Sequence, residues 1–350
     1  MKPRLVIALV AALLLVGVYW GLRPAPPKEP SLRAEPASSA VSSAAQPRPA
    51  PVAWTTVKDE LAGLSPEAAS RRIRQLLDSG VDQPTGLGFR LEADGSLAES
   101  PSLRVYLLDQ LAKVDRAAAG LYAKTILSTL GSSDEWAVSL RNYARAFPGA
   151  DAAAFLTDKM RQLLNHAPWQ ADPSAGYLEA FDVAVYVGGT ALLNDLGSLV
   201  RRQDNPALAH AAYLSLDRLT LQDSAAVLDR LQNDSSILSG REQTRANYFA
   251  RASMLDPRQR EIVERYLLDP ARQRAEIHTF AGLFPNANYM ISHNLLTQNA
   301  SPSRDQLLER DRAALRAVEN WLADERFQSS KPELERIQRR LQGFLQSSQR

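Results

Sequence analysis

The chain has 350 residues, 45% hydrophobic and 23% charged, enough to bury the core of one helical domain or two small ones. Six of its 41 Lys/Arg and two of its 39 Asp/Glu lie in residues 1–52, which leaves 35 basic and 37 acidic residues in the rest. A region so balanced has no global field to hold a polyanion, which argues against nucleic acid as a partner. The absence of cysteine excludes a disulfide framework, Cys-ligated zinc or iron–sulfur, and a thiol nucleophile.

Lys2 and Arg4 precede Leu5–Leu22, eighteen residues without a charge. As a helix this stretch is roughly 27 Å long, close to the hydrocarbon thickness of a bilayer. Tyr19 and Trp20 fall where an interfacial aromatic belt belongs. A cleavable signal peptide is the competing reading, but its apolar region is shorter and ends at a small-residue site. Here the run ends in Arg23-Pro24-Ala25-Pro26-Pro27. Residues 1–22 are therefore expected to be an uncleaved single-pass anchor in a bacterial inner membrane, with the bulk of the chain in the periplasm. Residues 23–52 hold eight Pro, seven Ala and five Ser, a composition that forms no core and reads as a semi-rigid tether.

From residue 53 the texture is helical. Eight prolines follow a polar residue at a plausible helix start: Pro66, Pro101, Pro173, Pro206, Pro257, Pro270, Pro302 and Pro332. Ser132 and Glu135 have capping-box spacing ahead of Trp136. Apolar residues recur at three-and-four spacing in Leu103/Leu107/Leu111/Val114 and Leu208/Ala212/Leu216/Leu219. The same spacing returns in Leu308/Leu315/Val318/Leu322 and Leu334/Ile337/Leu341/Phe344. Only Phe89-Arg90-Leu91, followed by Asp94-Gly95 and Leu97, reads as a small β-hairpin.

Two internal echoes are present. Pro101–Asp115 aligns with Pro206–Thr220 at an offset of 105, and Tyr143-Ala144-x-x-Phe147-Pro148 with Phe280-Ala281-x-x-Phe284-Pro285 at an offset of 137. Over residues 100–280 this texture resembles HEAT-like α-solenoid proteins. The resemblance implies an all-α fold of antiparallel helix pairs, with residues 53–300 as a helical-repeat domain and 301–350 as a helical pair packing on it. A single irregular helical domain with accidental echoes is the competing reading. The order of anchor, tether and helical region also looks like that of the lipase-specific foldases. Asp94-Gly95-Ser96-Leu97 with Leu103-Arg104 is similar to the start of their folding domain. Their signature continues with Arg, two residues and Phe-Asp-Tyr, whereas this chain has Arg104-Val105-Tyr106-Leu107-Leu108-Asp109.

Chemical motifs are mostly absent. His166, His210, His278 and His293 are scattered, with no second ligand at helical spacing, so no metal is expected. No nucleophile elbow or phosphate-cradling glycine loop appears, no cofactor is expected, and no catalytic residue stands out. Gly188-Gly189 reads as a helix break. Arg outnumbers Lys 34 to seven, which reads as base composition because acids match it.

Phe284–Asn299 departs from the rest, with four asparagines, a histidine and two aromatics between helices. Phe284, Asn286, Asn288, Tyr289, His293 and Asn294 are the candidate partner-binding residues, offering aromatic anchors and adaptable amides. The alternative is a buried, asparagine-capped loop that seals the core. Trp136 with Arg141 and Asn142 is a weaker candidate. The expected function is a non-catalytic scaffold that binds another protein in the cell envelope. A foldase-like chaperone and an envelope enzyme without a recognisable motif are the alternatives.

Overall fold

The computed structural model describes residues 54–288, 294–298 and 301–348. The expected anchor and tether lie outside them, and no helix of the described residues is long and apolar enough to cross a membrane. The described chain is mostly helical, with one two-stranded sheet. It opens with α1 (Trp54–Ala62) and α2 (Pro66–Asp78), then the strands β1 (Arg90–Leu91) and β2 (Leu97–Glu99). There follow α3 (Leu103–Val114), α4 (Arg116–Ile126), α5 (Ser133–Ala146), α6 (Ala150–Leu164) and the short α7 (Ala167–Ala171), α8 (Ala175–Glu179) and α9 (Asp182–Val187). Next come α10 (Leu193–Val200), α11 (Pro206–Gln222), α12 (Ser224–Asn233), α13 (Glu242–Phe249), α14 (Pro257–Leu268) and α15 (Arg274–Leu283). The chain closes with α16 (Arg304–Ala323), a 3-10 turn (Glu325–Ser330) and α17 (Lys331–Ser347).

Local chemistry sets the helix starts. Ser65, Asn205 and Asp256 cap α2, α11 and α14, each with proline in the first turn. Where serine follows the proline, that serine caps instead: Ser102 for α3, Ser174 for α8 and Ser303 for α16. These three helices therefore start two residues later than the X-Pro pairs imply. Ser132 caps α5 by accepting from Glu135 N. The Glu135 carboxylate does not return to close a capping box; it pairs with Arg104 at 2.9 Å.

The hairpin forms where alternation placed it. Arg90 pairs with Glu99 and Leu91 with Leu97, and Gly95 takes the left-handed φ of +76° in the turn. A Cβ at Gly95 would stand 2.4 Å from the Leu295 carbonyl oxygen, so close approach of residues 294–295 also demands glycine.

Packing follows two rows. In one, α3 meets α5, α5 meets α8, α8 and α9 meet α11, α13 meets α15 and α15 meets α17. The second row includes α6 against α10 and α12 against α14, and neighbours in sequence join the rows. Leu103, Leu107, Leu111, Leu208, Ala212, Leu216 and Leu219 are all buried at the seam. Of the α16 stripe only Val318 is fully buried, Leu315 and Leu322 packing at its edge; Ala313, Ala314, Ala317 and Trp321 complete the buried face, and small residues let a neighbouring helix approach closely. Phe344 of α17 is 54% exposed, while Leu334, Ile337 and Leu341 of the same stripe are buried.

Candidate functional site

Phe284 ends α15 and is fully buried, its ring 4.9 Å from Phe280 and 6.1 Å from Trp321. These rings belong to a run, Phe249–Tyr266–Phe280–Phe284–Trp321–Phe327, that ties α13 to the 3-10 turn. The Phe284–Pro285 peptide is cis. Asn286 is buried, its N–H donating to Ala250 O at 2.7 Å and its side-chain amide to Asn247 Oδ1 at 2.6 Å. Its Oδ1 accepts from Asn288 N at 3.0 Å, and Asn288 O accepts from Arg251. Arg340 of α17 donates to Phe284 O from the other side. Phe284, Asn286 and Asn288 thus close the end of α13 and α15.

The second part of the segment sits elsewhere. Leu295 is fully buried and its carbonyl accepts from Arg145 at 3.3 Å. Asp182, at the start of α9, accepts from Leu296 N at 2.6 Å and Thr297 N at 2.9 Å, and from the Thr297 hydroxyl. Gln298 reaches Ala93 O across the hairpin, and half-buried Asn294 lies against Gly95. Residues 294–298 are therefore pinned to the hairpin turn and α9, more than 110 positions away in sequence. Tyr289 and His293 lie outside the described residues.

The weaker candidate is consumed by the core. Trp136 donates its indole N–H to Thr129 O at 2.6 Å, and Asn142 donates to Leu108 O at 2.8 Å. Arg141 is wholly buried, 2.8 Å from Asp109 Oδ1 and 2.7 Å from Gly95 O. Burial pushes its guanidinium below the ordinary range, and Asp109 opposes that. Arg104, the residue the foldase comparison turns on, donates to Glu135 and to Leu77 O.

Arg141–Asp109 is one of a series that sequence reasoning missed. Arg218 meets Asp182 at 2.6 Å, Arg251 meets both oxygens of Asp217 at 2.7 and 2.8 Å, and Arg245 meets both of Glu276 at 2.7 Å. Burial pushes the Asp217 carboxyl above its ordinary value while Arg251 pulls it down. Three of the pairs join successive helices of the first row, and Arg251 reaches α11 from the turn just after α13. Among the described residues no three His, Asp or Glu converge as metal ligands. His166 caps α7, His278 meets Arg336 at 2.8 Å, and His210 stacks on Tyr213. Gly188 and Gly189 both have positive φ and end α9, as a helix break requires.

Several clefts open from the surface. One of about 390 Å³ lies under α1, lined by Trp54, Lys58, Leu87, Glu99 and Tyr106 among others. Two more, of about 320 and 510 Å³, flank Leu255 beside α16. No family model matches the chain, and no curated protein or solved structure is detectably similar to it.

Proposed function

We propose that this chain is a non-catalytic scaffold: a HEAT-like array of helix pairs, held by an N-terminal anchor to a bacterial inner membrane and facing the periplasm, whose surface binds another protein. The observation that carries the reading is a recurrent spacing. Polar links between successive pairs join residues 31 to 36 apart, many of them 34 to 36, such as Ser215 to Phe181, Arg218 to Asp182, Tyr248 to Tyr213, Arg251 to Asp217 and Arg265 to Asp229. The two sequence echoes fit the same step. Offset 105 joins α3 to α11, three pairs on; offset 137 joins the ends of α5 and α15, four pairs on. That is about 35 and 34 residues per pair, the length of a helix-turn-helix repeat unit. Stacked pairs of this kind present an extended surface, and their interior charges are spent on one another rather than on a substrate.

The test uses the full chain. A reporter fused after Arg350 is active only when exported, and carbonate washing leaves the protein in the membrane. Affinity capture from native membranes yields a defined envelope protein that the soluble domain, residues 54–350, displaces in competition. A cytoplasmically active reporter, or capture that the domain does not compete, contradicts the reading.

A further inference from the structure

The α16–α17 pair makes its backbone contacts with α15, through α17, and with α14, through the 3-10 turn. Among the described residues, α16 reaches the loop after α13 through the Arg310 hydrogen bond to Arg251, and two clefts lie beside that contact. One cleft there is lined by Met254, Leu255, Arg260, Arg316 and Asn320 over a floor of Ala313 and Ala317. The next is lined by Leu255, Pro302, Gln306, Glu309 and Arg310. They share Leu255, which is 48% exposed, and so form one groove with an apolar waist. From Gln306 to Asn320 the groove follows fourteen residues of helix, roughly 21 Å, room for about six extended residues.

Its charge is one-sided. Arg260, Arg310 and Arg316 stand against one acid, Glu309, in the lining. Arg260 donates to Met254 O and Arg310 to Arg251 O, yet the Nε of each is buried without a hydrogen-bond partner. No ion pair among the described residues includes any of the three, although most buried arginines of this fold hold a carboxylate. Arg310 is largely withdrawn from water beside the Arg251 charge, with Asp311 in opposition, and Arg316 is exposed; a carboxylate brought by a ligand adds the ion pair that neither has. A lone anion would need neither the length of the groove nor Leu255. The chain's own first 52 residues, with six basic and two acidic side chains, carry the wrong sign to fill it.

The geometry points to a docking groove between α14 and α16 for an extended acidic segment of a partner protein, with carboxylates on Arg316, Arg310 and Arg260 and an apolar side chain on Leu255. The assignment rests on the scaffold reading only in that the chain binds a protein, and it names the surface and the partner's chemistry.

Fluorescence anisotropy tests it with a labelled peptide of alternating glutamate and leucine, and a lysine–leucine peptide of equal length as control. The acidic peptide is expected to bind the soluble domain and to weaken as salt is raised, and the basic peptide is expected not to bind. Arg316→Glu and Leu255→Asp are each expected to weaken binding by about tenfold or more with the melting temperature unchanged, because both side chains are exposed. Equal binding of the two peptides, or variants that bind like the parent, overturns the assignment. So does the absence of binding at about 1 mM peptide, or self-association of the unliganded domain that Leu255→Asp abolishes, which makes a second copy the occupant. In each of those cases competitive capture from membranes still decides the scaffold reading separately.

Discussion

Arg251 and Arg310 are neighbours with different surroundings. Arg251 lies in the seam between α11 and α13 and is gripped by both oxygens of Asp217. Arg310, on α16, donates to the Arg251 carbonyl and forms no ion pair; burial and the Arg251 charge push its guanidinium below the ordinary range, and Asp311 opposes them. The same contrast separates two regions of the molecule. Along the seam, Arg141, Arg218, Arg245 and Arg251 each face an acid on another helix. Along the groove, Arg260, Arg310 and Arg316 make no such ion pair, and Glu309 is the one acid in the lining. A buried arginine with its acid fixes the register of two helices, because a displaced pair would strand two charges away from water. A buried arginine without its acid fixes nothing more than a carbonyl, and it leaves charge for a ligand to meet.

Breaking the seam has the largest expected effect. Arg141→Leu takes from buried Asp109 its wholly buried counter-charge, leaving it the Leu97 N–H and the more exposed Lys113, and is expected to cost about 3–5 kcal/mol by denaturant unfolding. Phe284→Ala removes a fully buried ring from the aromatic run and is expected to cost about 3–5 kcal/mol, whatever the protein binds. Asn286→Ala strips the side-chain contacts to Asn247 and Asn288, at about 1–3 kcal/mol. Melting curves of these variants rank the three, and an unaltered Phe284→Ala melting temperature would remove Phe284 from the core.

The smallest effect sharpens the contrast from the surface. Arg202 grips Asp204 through two short hydrogen bonds and holds its carboxyl at about 2, below an ordinary 3.8. The folded-state value is depressed, so the pair's contribution is full above pH 4 and is lost as pH falls through 2. Asp204→Asn is expected to flatten slightly the loss of stability between those pH values, and an unchanged slope would show that the exposed pair contributes nothing.

How much of this was legible depends on how local its cause is. The hairpin followed from alternation around Asp94-Gly95, and the seam of α3 and α11 from leucine spacing. The helix starts marked by a polar residue and proline were legible to within two residues except Pro270, which sits in a turn four residues ahead of the start of α15. Ser102, Ser174 and Ser303 displaced Ser100, Asp172 and Ser301 because a serine after proline brings its own acceptor to the first turn. The ion-pair seam was not legible, since its partners lie 31 to 36 positions apart and only the packing of helices that are not neighbours in sequence brings them together. Arginine abundance therefore read as base composition, whereas many arginines fix an acid or a helix-end carbonyl. Of the candidate segment, its departure from the helical texture was legible. Its division between two distant anchorages, Asn286 at Ala250 and Thr297 at Asp182, was not.

The division of labour between paired and unpaired arginines is tested most directly by one thermal-shift series on Arg251→Gln and Arg316→Glu, with and without the glutamate–leucine peptide. Peptide at about a hundred times its dissociation constant stabilises the parent domain by about 2.7 kcal/mol if it binds the folded state alone. Arg251→Gln is expected to melt far earlier than the parent. Arg316→Glu is expected to melt with the parent and to lose the peptide shift. An Arg316→Glu protein that melts as early as Arg251→Gln, or that keeps the full peptide shift, contradicts the account.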